Sequence, residues 1–324
     1  MMGRESVYRY VIKRLLVLIP VLIGVTFIVF FIMNLTPGNP GRNMLGPLAT
    51  QEQVDAINEQ LGYNQPYFVR YFNYIKDIVL HFDFGDSYAT GQPVIDQIIS
   101  KFPYTLRIAV GSVLISSVIG IVLGVISAVK QYTLIDNTVT VLALIVSVMP
   151  SYWIGMLFIL LFSITLGWLP PNGFTGFENY ILPVATVSLN TAGPMMRMTR
   201  SVMLEELRQD YVKTIRAKGA KENTVIYSHA LKNAMMPLIT RIGTQFAAMM
   251  GGSVITETVF NIPGIGSYII SSINAKDIPA VMTCTLFFAA LYCIIMLIMD
   301  IVYAYIDPRI REKYTRRLKG GARL

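Results

Sequence analysis

Residues 108–129 read IAVGSVLISSVIGIVLGVISAV, and this stretch decides the class of fold. It contains no charged side chain, and about 20 mostly apolar residues in a helix are enough to cross the hydrocarbon core of a bilayer. Because backbone N–H and C=O groups find no water within lipid, a single stretch of this kind crosses it as a helix. The stretch therefore predicts a transmembrane helix.

The composition of the whole chain agrees with a membrane protein. Of the 324 residues, 54% are hydrophobic and 14% are charged, whereas about a quarter of the residues of a soluble domain are charged. The net charge of +8 could suggest nucleic-acid binding. The basic residues, however, lie in short blocks beside apolar stretches, which is typical of membrane topology, so no nucleic-acid partner is expected.

Five further stretches extend this interpretation. Three are clear candidate spans, at Leu15–Met33, Val139–Leu166 and Pro279–Tyr305. Two are weaker, because Asn179–Met196 contains prolines and Ile242–Thr256 is uncharged for only 15 residues. With residues 108–129 they predict an all-α integral membrane protein of six transmembrane helices.

Charged residues are expected near the ends of these spans and not at their centres. These residues are Arg107, Arg197, Arg241, Glu257 and Asp300. The short stretch that begins at residue 242 could extend towards the N-terminus as the fifth span if the Arg241 side chain reached the membrane interface. Ion-coupled transporters usually hold ionisable groups deep in the bundle, and an intramembrane enzyme needs catalytic groups there. We therefore keep an ion-coupled secondary transporter only as an alternative function. Serines within the spans, at positions 112, 116, 117 and 147, are interpreted as helix-packing residues.

The distribution of lysine and arginine predicts the orientation. Met1–Arg14 has four, Thr199–Ala234 has seven and residues 307–324 have seven, whereas Thr36–Tyr104 has only four in 69 residues. Cytoplasmic loops are enriched in these residues. Six spans with both termini in the cytoplasm place all three basic segments inside. We therefore expect a multi-pass protein of a bacterial or archaeal cytoplasmic membrane, with Thr36–Tyr104 outside.

The long Thr36–Tyr104 segment is expected to have structure of its own. Thr50 through Gln53 form a capping-box pattern, which predicts a short helix that ends near Gly62. Pro66–Leu80 alternates aromatic and polar residues at helical spacing. This second helix could be a contact surface for an external partner or a small domain packed on the spans, and the sequence leaves both open.

No catalytic, metal-binding or cofactor-binding residues are predicted. The chain has no GxxxxGK[ST] pattern, and the glycine-rich Ile262–Gly266 lacks the following lysine, so it is interpreted as a turn. Cys284 and Cys293, nine residues apart in one apolar stretch, fit neither a disulfide framework nor a metal site. If the protein performs work, another chain must hydrolyse the ATP.

The basic loop between the two weaker spans has a distinct pattern. Ser201–Lys218 predicts one amphipathic helix, which Gly219 ends as the residue after the C-cap. Asn223 or Thr224 could cap a second helix that runs to Pro237, near the start of the fifth span. A helix–glycine–helix below the bilayer could act as a lever on the attached spans.

The sequence of this loop, DYVKTIRAKGAKENTVIYSHALKNAMMP (Asp210–Pro237), resembles the cytoplasmic coupling motif of permeases in dipeptide, oligopeptide and nickel ABC importers. Ile215 stands where that family usually has alanine, and Lys213, Thr214 and Ile215 replace the glutamate and two alanines of the broader signature. The resemblance implies that this segment contacts an ATPase subunit. The implied coupling residues are Asp210, Tyr211, Thr214, Arg216, Ala217, Lys218, Gly219, Ala220, His229, Asn233 and Pro237; Ala230 matches the motif as well.

Other blocks resemble the same family in the same order. Thr36 through Pro40 resembles its PGDP, with Asn39 for aspartate, and Phe82 through Ser87 resembles its GDLGxS, with Phe82 in the position of a glycine. The remaining blocks are Leu166–Pro170, Gly252–Glu257, Thr258–Phe260, Pro263–Gly266 and Asp307–Arg309. The long first loop resembles that of the B-type permease.

The resemblance implies a type I ABC importer permease fold and a role as half of a translocation pathway for peptides. It implies as partners a C-type permease, two ATP-binding subunits that hold ATP and Mg, an extracytoplasmic binding protein and membrane lipid. The chain itself would hold no cofactor. Nickel or another small solute is the alternative cargo. The expected divisions are 1–35, 36–104, a five-span core at 105–306 with coupling loop 199–234, and a basic tail at 307–324.

Overall fold

The computed structural model describes residues 4–35 and 38–306, and these residues are helical except for connecting turns and one isolated bridge between Asp86 and Pro93. The helices are α1 Arg4–Leu35, α2 Pro40–Leu45, α3 Gln51–Gln60, α4 Tyr67–His81, α5 Val94–Val129, α6 Leu134–Val148, α7 Ser151–Phe158 followed by π-helical Ile159–Thr165, α8 Glu178–Leu207, α9 Asp210–Ala217, π-helical Thr224–Ala230, α10 Leu231–Gly252, α11 Val254–Val259, α12 Ile265–Asn274 and α13 Ile278–Ile306. The all-α prediction is confirmed for this part of the chain. The basic tail at 307–324, its Asp307–Arg309 block, and Thr36 and Pro37 of the first block lie outside the described residues.

The chain divides into two compact units. Unit 1 consists of the described residues within Met1–Leu106 and Ile262–Cys293. Unit 2 consists of the described residues within Arg107–Asn261 and Ile294–Leu324. Helices α5 and α13 contribute residues to both units.

Three helices in the described part of the chain are long and apolar enough to cross a membrane. They are Leu16–Leu35 within α1, the whole of α5 and Ile278–Val302 within α13. The bent pair α6–α7 can count as a fourth. Helix α8 contains the weaker predicted span Asn179–Met196, whereas the predicted span Ile242–Thr256 runs from α10 past its end at Gly252 into α11. Neither α8 nor α10 belongs to this set. Six spans therefore remain a prediction.

Helix α5 begins earlier than the sequence indicated. The predicted span begins at residue 108, but the helix starts at Val94 and continues through Pro103. The division between residues 104 and 105 stays a prediction. The first turns of α5 bury Val94 and Ile98 in a cluster with Ile265 of α12, and i, i+4 spacing puts both residues on one face. Pro103 removes the helical partner of the Ile99 carbonyl, but Ile99 is exposed and the helix tolerates the loss.

The predicted third span, Val139–Leu166, is wrong as a single helix. Helices α6 and α7 meet at Met149 and Pro150 with a bend of 100°. Pro150 has no N–H for the Val146 carbonyl, and the residue before a proline favours an extended backbone, as Met149 shows with φ −64° and ψ 130°. The side chain of Asn190 on α8 supplies the missing donor: its Nδ2 lies 2.9 Å from the Met149 oxygen and 3.5 Å from the Val146 oxygen.

Helix α10 begins before the predicted fifth span. The span was expected at Ile242–Thr256, with a possible extension from Met235, but α10 runs from Leu231 to Gly252 and continues directly from π-helical Thr224–Ala230. Pro237 does not end the helix, and the carbonyl that it frees belongs to Asn233, which is exposed. The position of Arg241 relative to the ends of the span stays a prediction.

In unit 1, the capping box of α3 is confirmed. The Gln53 backbone N–H donates to Thr50 Oγ1 at 3.4 Å, and the Thr50 N–H donates to Gln53 Oε1 at 3.0 Å. These two bonds satisfy donors that the first turn of a helix leaves open. The helix ends at Gln60, two residues before Gly62, as expected.

Helix α4 packs on α1 through one face. The Tyr71 hydroxyl lies 2.8 Å from the Ile23 carbonyl oxygen, and Phe30 is buried in a cluster that includes Tyr71 and Tyr74. The other face leaves Phe72 exposed. The helix is thus partly packed on a predicted span and still offers an apolar surface.

Phe82, the residue after α4, is one of the departures from the family pattern. Phe82 adopts φ 54° and ψ 29°, a left-handed conformation, at the position where the resembling family has glycine. Glycine takes this conformation at little cost, whereas other residues do so rarely. A left-handed residue therefore ends this helix without being a glycine.

In unit 2, small residues bring α5 and α8 close together. A β-carbon at Gly120 would collide with Met195, and one at Gly124 would collide with Thr199. This glycine pair at i, i+4 is the spacing that lets membrane helices approach closely. The serine interpretation is confirmed at Ser112, whose Oγ donates to the Val184 carbonyl of α8 at 3.4 Å.

A buried ion pair, which we call the inner clamp, joins α6 to α8. Arg200 donates to Asp136 twice, from Nε to Oδ1 and from Nη2 to Oδ2, each at 2.7 Å. Asp136 also accepts from Ser127 of α5 and from the backbone N–H of Tyr132, which has a left-handed φ of 63°. The Asp136 side chain is only 2% exposed. One carboxylate therefore joins three helices and a strained turn.

Candidate functional site

The predicted coupling segment consists of α9, the turn at Gly219 and the π-helical Thr224–Ala230. The single helix expected over Ser201–Lys218 is wrong: α8 ends at Leu207, and α9 begins at Asp210 after Gln209, whose ψ is 150°. Asp210 lies at the positive end of the α9 dipole and favours a helix start there. Glu205 and Glu206 lie at the negative end of the α8 dipole, so their charges do not account for the end of α8.

Helix α9 has one anchored face and one exposed face. Val212 is fully buried and Ile215 is half-buried. Lys213, Thr214 and Arg216 are exposed. The Lys213 ammonium lies 2.8 Å from Asp210 Oδ1, and this hydrogen bond lowers the pKa of the Asp210 carboxyl. The exposed face is therefore a surface of mixed charge.

Gly219 ends α9 as predicted. Its φ is +79°, its N–H donates to the Arg216 carbonyl at 2.9 Å, and the Ala220 N–H donates to the Ile215 carbonyl at 3.4 Å. These two bonds form a Schellman motif, which needs a left-handed residue after the C-cap. A β-carbon added at Gly219 would meet no described atom beyond its chain neighbours within 4 Å. The requirement for glycine is thus one of backbone conformation and not of space.

An exposed ion pair, which we call the outer clamp, closes the turn. Arg216 Nη2 lies 2.5 Å from Glu222 Oε1, and Arg216 Nε lies 3.1 Å from Glu222 Oε2. The hydrogen bond from Arg216 lowers the pKa of the Glu222 carboxyl. The clamp joins the last turn of α9 to the start of the next helix. Glu222 was not among the predicted site residues. Its negative charge, six residues after Arg216 and beyond a glycine turn, could have indicated this ion pair from the sequence.

The second helix starts differently from the prediction. The Thr224 and Val225 N–H groups donate to the Lys221 carbonyl at 2.9 and 3.1 Å. Asn223 is itself helical and its side chain makes no capping bond, so the predicted cap at Asn223 or Thr224 is wrong. The π-helical turn continues directly into α10. The segment is therefore attached to a long helix without an intervening loop.

A buried apolar cluster fixes this second helix to the body of unit 2. Ile226 and Ala230 of the π-helical turn are buried with Val125 of α5 and Met203 of α8. The cluster is completed by Ala128 and Ala234. Movement of this turn must therefore be accompanied by movement of α5 and α8, because buried side chains are close-packed.

Tyr211 connects α9 to its neighbours. Its hydroxyl donates to Glu206 Oε2 of α8 at 2.7 Å. Burial and this hydrogen bond raise the pKa of Tyr211, whereas the nearby Asn233 amide of α10 lowers it. Glu206 is a second residue that the sequence did not single out, because its partner is known only from the fold.

The predicted site residues thus form two groups. Asp210, Thr214, Arg216, Ala217, Lys218, Gly219 and Asn233 are exposed, whereas Tyr211, Ala220, His229 and Pro237 are half-buried. The first group provides a surface and the second lies closer to the packed helices. A cavity of about 470 Å³ opens beside the start of α9, and its lining includes Arg200, Arg208 and Asp210.

Two family models match this chain. Residues 120–312 match the binding-protein-dependent transport system inner membrane component, and residues 7–109 match the N-terminal model of the same membrane components. The chain belongs to this permease family.

Curated relatives of the permease extend over nearly its whole length. The dipeptide transport system permease protein DppB of Alkalihalophilus pseudofirmus is 36% identical over 330 residues, covering 93% of this chain and 99% of that protein. The glutathione transport system permease protein GsiC of Salmonella typhi is 39% identical over 304 residues, covering 94% of this chain and 99% of that protein.

A solved structure supports the fold of the permease. The inward-facing MetNI methionine ABC transporter matches with a TM-score of 0.54 at 18% identity, covering 66% of this chain and 98% of that chain. At this level of identity the likeness concerns the fold alone. It supports the fold of an ABC transporter permease for the part of the chain that it covers.

Proposed function

We propose that this permease is the B-type transmembrane subunit of an ATP-driven peptide importer and forms half of its translocation pathway. The observation that carries the proposal is the full-length similarity to permeases named for dipeptide and glutathione transport. Both named substrates are short peptides with free carboxylates. The sequence contains no GxxxxGK[ST] phosphate-binding pattern. We therefore assign ATP and Mg to partner subunits.

The outer clamp segment, Asp210 to Glu222, is the proposed docking site for an ATPase subunit. Its exposed face offers separated positive and negative groups, which give specificity and orientation in protein contacts. The Schellman turn and the outer clamp hold that face in one shape before docking. A pre-shaped surface loses less conformational entropy on binding than a flexible loop does.

Force on α9 has two proposed routes into the spans. One is the hydrogen bond of Tyr211 to Glu206 on α8. The other is the short turn through Gly219 to the π-helical Thr224–Ala230, which is continuous with α10. ATP-driven closure of the partners would thereby tilt α8 and α10 and alternate the access of the pathway.

The membrane arrangement is part of the same proposal. Six spans with both termini in the cytoplasm would put the outer clamp segment inside and Thr36–Tyr104 outside. Helices α8 and α10 would be the two spans that are less apolar. The partners would be a C-type permease, two ATP-binding subunits and an extracytoplasmic binding protein, which the Thr36–Tyr104 region would help to receive.

A charge reversal tests the docking proposal. Lys218 is exposed beside Gly219, so Lys218→Glu should reduce co-purification with the ATPase subunits and uncouple ATP hydrolysis from uptake in proteoliposomes. Lys130→Glu is the matched control, since Lys130 is exposed at the end of α5, outside the segment. Equal co-purification of both variants would refute the docking site.

Uptake by the intact complex tests the class of transporter and its cargo. Proteoliposomes with binding protein should take up dialanine or glutathione only with internal ATP. Uptake driven by an ion gradient without ATPase subunits would instead indicate a secondary transporter. ATP-dependent uptake of Ni²⁺ but not of either peptide would preserve the architecture and replace the cargo.

A further inference from the structure

A cavity of about 310 Å³ lies within unit 2, at the convergence of α5, α8 and α10. Its volume is at the lower end of the range for small-molecule sites, about 300–1,000 Å³. The polar residues of its lining include Asn190, Thr191, Arg241, Thr244, Gln245 and Ser253. Ile108, Ala109, Val187 and Met249 contribute apolar walls.

Arg241 is the only charged residue among the described residues that line this cavity. It lies within α10, about 16 Å along the axis from Gly252 at 1.5 Å per residue. In the proposed six-span arrangement α10 crosses the membrane, where a charged side chain is costly and usually marks a substrate or ion pathway.

Three other arginines on the long helices of unit 2 have partners. Arg197 donates to Ser147 Oγ at 3.0 Å, Arg200 belongs to the inner clamp, and Arg107 donates to Tyr180 Oη at 3.2 Å. In contrast, the Arg241 guanidinium makes no hydrogen bond or ion pair with the residues whose side chains are described, 16–35, 38–251 and 253–302. Its five N–H donors therefore remain available for an anion.

Gln245 provides a second, independent observation. It lies one helical turn after Arg241, on the same face of α10, and it is 6% exposed. Its Nε2 donates to Ser116 Oγ of α5 at 2.8 Å, but its buried Oε1 has no partner among the described residues. A buried acceptor without a partner is destabilising, and a ligand N–H would satisfy it.

We propose that this cavity binds the carboxylate end of a transported peptide, with the carboxylate on Arg241 and a peptide N–H on Gln245 Oε1. The inference rests on the proposed peptide import and adds a chemical requirement to it. A guanidinium matches a carboxylate through two parallel hydrogen bonds. Within the described ranges, no aspartate or glutamate lines the cavity to compete for Arg241.

The test measures equilibrium binding of radiolabelled dialanine to the purified permease–ATPase complex in nanodiscs, without the binding protein, with dialanine amide as the neutral-ended competitor. Wild-type protein should prefer dialanine. Arg241→Met should weaken dialanine binding roughly ten- to hundredfold, as expected for a lost charge-assisted hydrogen bond. It should leave the weaker binding of the amide unchanged.

Two further variants keep the result interpretable. Lys130→Met removes a positive charge outside the cavity and should not change the preference for dialanine. Arg241→Lys keeps the charge without the paired donors and should give an intermediate preference, which decides the question if Arg241→Met fails to assemble. Equal losses for dialanine and its amide, or no loss for either, would overturn the carboxylate site.

Uptake in proteoliposomes separates this inference from the proposed function. ATP-dependent uptake of dialanine with no effect of Arg241 on the preference would retain peptide import and reject the cavity. Absence of uptake of any peptide by the wild-type complex would reject peptide import, and the carboxylate site with it.

Discussion

The inner and outer clamps use the same chemistry in opposite surroundings. Each joins an arginine to a carboxylate through two hydrogen bonds, Arg200 to Asp136 and Arg216 to Glu222. The Asp136 side chain is 2% exposed, whereas that of Glu222 is 55% exposed. Water therefore screens the second pair but scarcely reaches the first carboxylate.

The difference in exposure indicates which clamp stabilises the fold. Removal of one member of a buried pair leaves an uncompensated charge and costs several kcal/mol, whereas exposed pairs contribute about 0–1 kcal/mol. The inner clamp should therefore stabilise the fold. The outer clamp should contribute little to stability and should act through the shape of the docking segment.

The largest expected effect is that of Asp136→Ala. This change leaves Arg200, the Ser127 hydroxyl and the Tyr132 N–H without their shared acceptor, and it should lower the free energy of unfolding by about 3–5 kcal/mol. Reversible unfolding in mixed detergent micelles measures it. Glu222→Ala is the matched control, and a similar loss for both variants would remove the distinction between the clamps.

Gly219→Val should have the next largest effect. A β-branched residue at φ +79° pays about 1–2 kcal/mol for the left-handed backbone, so the Schellman turn should open and misplace Arg216. We expect loss of coupled ATPase activity in proteoliposomes with near-normal expression. Gly219→Asn, which tolerates this backbone better, should retain most coupling; coupling retained by the valine variant would show that the turn does not shape the segment.

Helix caps and helix-ending glycines are among the features that the sequence alone could predict. The capping box of α3 and the left-handed Gly219 were predictable because both depend on neighbours within a few residues. Prolines were harder to interpret. Pro150 ends α6, where the distant Asn190 side chain meets the freed carbonyl, whereas Pro103 and Pro237 lie inside helices and free the carbonyls of exposed residues. The sequence around each proline does not separate these two cases.

Long-range pairs could not be predicted for the same reason. The partners in the inner clamp are 64 residues apart, and those in the Gln245–Ser116 bond are 129 residues apart. Three long apolar helices could be located by composition. The continuity of α10 with the π-helical turn could not, because that turn is held by a buried cluster with residues of α5 and α8 that are distant in sequence.

Glu222→Ala should have a small effect that is specific to docking. Without the outer clamp, Arg216 is free to adopt other rotamers, so we expect a few-fold weaker association with the ATPase subunits and less than about 1 kcal/mol of lost stability. Association can be measured by biolayer interferometry on nanodiscs. An unchanged association would mean that the Schellman turn alone shapes the segment.

The smallest expected effect is that of pH. Arg216 lowers the pKa of Glu222 in the folded protein, so the contribution of the clamp is present above the unfolded pKa and is lost only as the pH falls through the lower, folded value. The ratio of wild-type to Glu222→Ala association should therefore stay constant from pH 8 to about pH 5. A ratio that falls to one within this range would show that the carboxylate is not held by Arg216.

Asn190 has two duties in unit 2. Its amide caps the end of α6 at the 100° bend, and the same residue lines the cavity that contains Arg241. A single side chain therefore connects the bend to the wall of the cavity. A rearrangement of the bend that moves Asn190 would also change the lining of the cavity.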